Sequence, residues 1–435
     1  MNHLAPSGPM AYGGLDSAPR AVRGRGPKEK GRRGTMPFAR LFLRFVFTWA
    51  LVAGLAHGGY AAAPVRLGAI NPLTGKLANH GQEILSGIEV AVDEINEGGG
   101  LAGRPVQLVS RDDQSQPETA VNQAQDLIYR EKVTALTGGY VDSLVGPISQ
   151  LALKARIPYV ASASLQKDLT LEGKNPFFFR ISHLDGVTEP LCRFLPEAMP
   201  GKKAAILHAA TPGATEFSQV LFQCLRRAGV ELPLVEKFRP GTPDFAPFLL
   251  KMRSLHADVL ISAGFFPDHL ILVRQIREQN MPLTAYVGPW GIAYPEFIQQ
   301  MGPAAENLLG MSAWHPDFPY PGTEESSRRF SETFRAKYGR DPTSTVMHGY
   351  TAAKVLLEAM RTVIQQGAPL DGPHIADALR AMDATLPLGR VQFDAKGDPR
   401  HYRQVVVQIQ NGRLVPVYPA DRAQGTWIPM SGPTN

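Results

Sequence analysis

Between Val133 and Leu165 the side chains able to do chemistry are few, and they suit binding rather than bond-breaking. Asp142 offers a carboxylate, and Ser143, Ser162 and Ser164 offer hydroxyls. Backbone amides at residues 142–144 would open a helix, where unpaired N–H groups attract anions and polar solutes. Such groups hold a small molecule by hydrogen bonds; no catalytic group is required for that, and the segment offers none beyond Asp142. The chain shows no GxSxG, no P-loop, no GxGxxG after a strand and no HExxH or CxxC spacing, and its eleven histidines are scattered. Neither an enzyme, a cofactor site nor a metal site is expected.

The elements that must position these groups read clearly. Val133–Thr137 is a β-rich run ended by the pair Gly138-Gly139. Ser143–Ala155 repeats apolar residues at helical spacing, with Pro147 in its first turn. Ile157–Val160 resumes a strand. In an open parallel sheet both loops lie beyond the carboxyl ends of strands, where such sheets bind ligands. The same alternation runs along the chain. Strands are expected at Val65–Ile70, Val106–Ser110, Ala204–His208, Leu234–Phe238, Val259–Ala263, Ala285–Val287 and Arg403–Ile409. Helices are expected at Gln82–Asn96, Pro117–Glu131, Ala214–Ala228, Phe245–Leu255, Asp268–Glu278, Glu324–Tyr338 and Ser344–Gln366. This is an α/β pattern with parallel strands and right-handed crossovers.

The formal charge of +6 suggests nucleic acid or an anionic membrane as a partner, but the charge is unevenly placed. Residues 1–63 hold nine Lys/Arg and two acids, leaving 36 basic against 37 acidic residues in the rest. No nucleic-acid partner is therefore expected. Residues 1–35 are Gly-, Pro- and Arg-rich and read as a disordered leader, with Met36 as the expected true start. Residues 36–63 have a basic start, an apolar run from Phe45 to Ala56 and small residues after it, the form of a secretory signal peptide cleaved between Ala61 and Ala63. An exported chain with only Cys192 and Cys224 permits either one disulfide or two separate buried thiols.

The run GAINPLTGKLANHGQEILSGIEVAVDEINEGGGLAGRPVQLVSRDD (Gly68–Asp113), then residues 116–120, GGYVDS and IPYVASAS, resembles the leucine/isoleucine/valine-type periplasmic binding proteins. The resemblance covers Val65 to about Val417. It implies a type I fold, with two doubly wound parallel-sheet lobes joined by a three-strand hinge. The lobes would comprise residues 64–181 with 314–389, and 182–313 with 390–420, followed by a tail. It also implies a monomeric receptor for a small-molecule solute, delivering it to an ABC permease in the inner membrane. A periplasmic ligand sensor of the same fold is the second reading.

The resemblance assigns the site residue by residue. The family's carboxylate-binding serine position carries Asp142, followed by Ser143, and its threonine position falls on Leu165, next to Ala163 and Ser164. Asp142 either caps the helix beyond it or accepts hydrogen bonds from a ligand. Trp290 stands where the amino-acid binders have an acid, and is either a pocket wall or core packing. Of Phe265 and Phe266, one faces the cleft and the other the core. His80 falls where the family places an aromatic. Tyr140 is a further candidate, and the loop at Gly213 lacks a bulkier, tyrosine-bearing segment. With the zwitterion anchors mostly replaced, the expected ligand is an apolar or aromatic organic solute.

Overall fold

The computed structural model describes residues 63–171 and 174–430. The leader and signal-peptide assignments, except residue 63, lie outside the described residues, as do the last five residues of the expected tail.

The first lobe begins with β1 (Val65–Asn71), α1 (Ala78–Glu97), β2 (Val106–Asp112) and α2 (Pro117–Gln125), which continues as a π turn over Asp126–Arg130. β3 (Ala135–Tyr140), α3 (Asp142–Ala155), β4 (Tyr159–Ala163) and β5 (Phe178–Arg180) follow. All pairings in this sheet are parallel, in the order β2-β1-β3-β4-β5. β3 is buried at every position. It does not stop at Gly138-Gly139: both glycines stay in the strand at φ 92° and 88°, a backbone few other residues tolerate.

The second lobe contains α4 (Leu184–Ala198), β6 (Ala204–Ala209), α5 (Pro212–Arg227), β7 (Leu234–Phe238), α6 (Ala246–Ser254), β8 (Val259–Ala263), α7 (Phe266–Glu278), β9 (Ala285–Gly288), α8 (Pro295–Met301) and β10 (Leu309–Ser312). The chain then returns to the first lobe through α9 (Glu324–Tyr338), α10 (Ser344–Gln365) and α11 (Gly372–Arg380). It leaves again after the hairpin β11 (Asp383–Leu386) and β12 (Gly389–Gln392), and closes with β13 (Val405–Gln410) and β14 (Arg413–Tyr418). Three passages between the sheets make a hinge.

The second sheet has the order β14-β13-β10-β9-β8-β6-β7. Its two last strands correct the all-parallel expectation, since β13 runs antiparallel to β10 and β14 antiparallel to β13. For β14 the reason is local: Asn411 and Gly412 both have positive φ, and a two-residue Asn-Gly turn folds the chain straight back on itself. α11 had no counterpart in the periodicity reading. Asp371 caps it by accepting from the His374 amide, and Pro373 sits in its first turn.

Cys192 on α4 and Cys224 on α5 form a disulfide, with Cα atoms 5.8 Å apart. It ties two helices beside β6 across a 32-residue separation. Restricting a loop of that length in the unfolded chain contributes about 3–4 kcal/mol. The Cys192→Ala/Cys224→Ala variant is therefore expected to melt on the order of 5 °C lower in calorimetry. An unchanged melting temperature would show that the bridge adds nothing.

Candidate functional site

A cleft enclosing about 800 Å³ of non-protein space, its mouth included, lies between the lobes. Asp142 marks its first-lobe wall. Val141 precedes it at φ 65°, a strained conformation for a β-branched residue, and α3 starts at Asp142 itself. No side chain caps that helix. The expected capping role is thus corrected: Asp142 turns instead toward the loop after β4. Its Oδ1 accepts from Ser164 Oγ at 2.7 Å and from the amides of Leu165 and Gln166 at 2.9 Å each. Its Oδ2 faces Gly213 in the first turn of α5, across the cleft. A Cβ on Gly213 would lie 2.1 Å from that oxygen, so only glycine lets the two lobes meet there.

The opposite wall is aromatic. Phe265, ahead of α7, and Trp290, in the loop after β9, line the cleft with Tyr140 at the end of β3. Phe265 and Tyr140 meet edge to face at 6.0 Å, and Trp290 is braced by Phe217 at 5.1 Å. Among the lining residues there is no lysine or arginine, and Asp142 is the only acid.

Tyr294 joins the lobes. Its hydroxyl shares hydrogen bonds with His80 Nδ1 of α1 and with Thr345 Oγ1 of α10, the latter at 2.7 Å. His80 is 1% exposed and stacks on Tyr140 at 4.3 Å. Burial, helped by the neighbouring His269, pushes its pKa down to about 3, so the ring is neutral. Burial also raises the Tyr294 phenol well above its usual value and keeps it protonated. A further interlobe link runs from the Lys167 amide to Glu216 Oε2 at 3.1 Å.

Eight of the eleven expected residues line this cleft: Tyr140, Asp142, Ala163, Ser164, Leu165, Gly213, Phe265 and Trp290. Three do not. His80 lies behind Tyr140, holding the wall rather than forming it. Ser143 is the second residue of α3, and a step of one residue turns its side chain off the cleft face. Phe266 packs on Tyr294 and Phe297 in the second-lobe core. The sequence reading missed Tyr294, Thr345, His348, Tyr402 and Gln404, which also line the cleft. Thr345 and His348 carried a signal, being three residues apart and hence on one face of α10.

Two buried atoms among the newly found residues lack partners, His348 Nε2 and Gln404 Oε1. Burial lowers the His348 pKa to about 4. The Tyr402 hydroxyl accepts from Gln404 Nε2, and the Tyr402 ring lies 5.6 Å from that of His348. Among the described residues no group of three or more His, Cys, Asp or Glu could hold a metal ion. The arrangement can bind and enclose a small solute.

Residues 64–413 match the family model for periplasmic binding proteins. The Leu/Ile/Val-binding protein homolog 7 of Brucella melitensis is 27% identical over 391 residues, covering 85% of this chain and 94% of the relative. The crystal structure of a leucine binding protein from Thermotoga maritima aligns with a TM-score of 0.72 at 25% identity, over 80% of this chain and 97% of that one. A solute binding protein of an ABC transporter from R. palustris, solved in complex with benzoate, gives the same TM-score at 19% identity, over 85% and 98%, and shows the fold alone. A two-lobed α/β chain with a cleft between its lobes, whose sequence matches the family model over nearly its whole described length, belongs to the periplasmic binding protein family, the type I solute receptors of ABC importers.

Proposed function

We propose that this chain is exported to the periplasm, where it captures an apolar or aromatic organic solute and presents it, by closing its lobes, to an inner-membrane permease. The observation that carries the reading is the lining of the cleft, where Tyr140, Phe265 and Trp290 supply aromatic faces and no basic side chain is present. An α-amino acid requires partners for both a carboxylate and an ammonium, because unpaired buried charge is expensive. Here the resembled family's acid is Trp290, whose face attracts a cation only weakly. Micromolar binding needs about −8 kcal/mol, within reach of one stacked ring and a few hydrogen bonds. A thermal-shift screen of amino acids, aromatic acids, amides and alcohols tests the reading, because a ligand that binds only the folded form raises its melting temperature. Aromatic and apolar solutes should raise it, and calorimetry showing tight leucine or valine binding with aromatic analogues silent would contradict the proposal.

Two variants extend the test. Trp290→Ala should weaken the best ligand by about 10- to 100-fold in calorimetry, the usual cost of removing a central aromatic anchor. Tyr294→Phe leaves His80 Nδ1 and Thr345 without their shared partner. Loss of that link should weaken binding by about tenfold, from roughly 1–2 kcal/mol, mostly through faster release in stopped-flow traces.

The latch also gives a pH dependence. Because the closed form holds His80 near pKa 3, against about 6.5 for an exposed imidazole, opening takes up a proton between those values. Closure is then fully favoured above about pH 6.5 and weakens as the pH falls toward 3. His348, lowered to about 4, acts in the same direction. Affinity measured from pH 8 to 5 should decline on the acid side, and His80→Gln, which cannot titrate, should flatten the profile; an identical slope in that variant would remove His80 from the latch.

A further inference from the structure

The proposed solute class still includes acids, alcohols and amides, and the cleft separates them. An anion in a protein cleft needs cations, spare amides or a helix N-terminus aimed at it. This cleft has no lysine or arginine in its lining. The amides of the loop after β4 are already used: Leu165 and Gln166 donate to Asp142 Oδ1, as does the Ser164 hydroxyl. The N-terminal turn of α5 abuts Asp142 Oδ2 at Gly213, with a separation that leaves no room even for a methyl group. The donors of the loop after β4, and the first turn of α5, therefore face the protein's own carboxylate rather than a ligand's.

A second observation concerns what remains unpaired. Gln404, 6% exposed, keeps Oε1 without a partner, and His348, 7% exposed, keeps Nε2 without one. The free arm of the Gln404 carboxamide accepts or donates according to which way the amide is turned, and a neutral imidazole nitrogen does so according to tautomer. A hydroxyl or carboxamide, which both donates and accepts, can meet either arrangement, whereas a carboxylate, which only accepts, meets the donor forms alone.

We propose that Asp142 fills the anion slot of the cleft, so that the site takes a solute whose polar end is a neutral hydroxyl or carboxamide and rejects the matching carboxylate. This rests on the receptor reading for its biological sense, but the slot itself can be tested without the natural ligand. Asp142→Gly deletes a side chain that acetate matches atom for atom. In about 0.1 M acetate the glycine variant should gain several degrees of melting temperature beyond the wild-type gain, against chloride at equal ionic strength. Equal responses would overturn the proposal.

Asp142→Ser supplies an independent arm should the glycine variant not fold. It frees the Leu165 and Gln166 amides while keeping a hydroxyl. Benzoate and benzamide, titrated by tryptophan fluorescence, are the probes. Benzoate should bind the serine variant at least about tenfold more tightly than it binds the wild type, with no such gain for benzamide. No gain for benzoate would overturn the proposal, and so would an equal gain for benzamide, which would mean only a larger cavity. The receptor reading fails on separate grounds, if no solute of any class in the screen raises the melting temperature.

Discussion

One short loop, Ser164–Gln166, is held between two buried charges of opposite sign, and the site is built on it. Asp142 Oδ1 takes the loop's hydroxyl and two amides. On the other side Arg180, 1% exposed, donates to the carbonyls of Gln166 at 2.8 Å and Ser164 at 3.4 Å. Gln166 thus gives its N–H to the carboxylate and its C=O to the guanidinium. A buried charge without a partner is among the most costly features a fold can carry, and here each is satisfied by its own set of partners, with Gln166 belonging to both. Arg180 also pairs with Asp398 at 2.6 Å, which lies on the third passage between the lobes. The same guanidinium therefore fixes the pocket loop to the hinge.

The consequence for binding is that the first-lobe wall is preorganised. The strained Val141 points Asp142 at the loop, and the loop presents Ala163 and Leu165 to the cleft. Strain of this kind costs of order 1–3 kcal/mol and persists where surrounding bonds enforce it. The second lobe contributes the adaptable part: Phe265, Trp290 and the Tyr294 hydroxyl that reaches back to His80 and Thr345. One lobe fixes polarity and the other supplies area, which is a workable division for a receptor that must close and reopen.

Much of the fold was legible in the sequence because strands and helices alternate with clear periods and glycine-marked ends. β13 showed as an apolar run, but its direction did not, since register and orientation depend on the Asn411-Gly412 turn and the returning chain. The site was readable where it lies on loops after parallel strands, hence Asp142, Ala163, Phe265 and Trp290. It failed in three ways. His80 was placed at the cleft because the resembled family has an aromatic there, yet it is a buried support, and no local pattern distinguishes the two. Tyr402 and Gln404 come from the segment leading into β13, and they join the cleft only through the third passage, a contact between residues more than two hundred positions apart from Ser164. The role of Asp142 was missed because its partners are backbone amides, which sequence does not display.

The central claim is that the lobes are a hinged pair shut over the cleft. Spin labels at Gln150 on α3 and Gln219 on α5, both exposed on the helices that approach each other at Asp142 and Gly213, would measure it directly by pulsed electron resonance. The two cysteines are bonded to each other and leave the labelled sites distinct. Saturation with a solute identified by the screen should collapse a broad, long distance distribution to one short, narrow distance. A distribution that is the same with and without that solute would contradict the account.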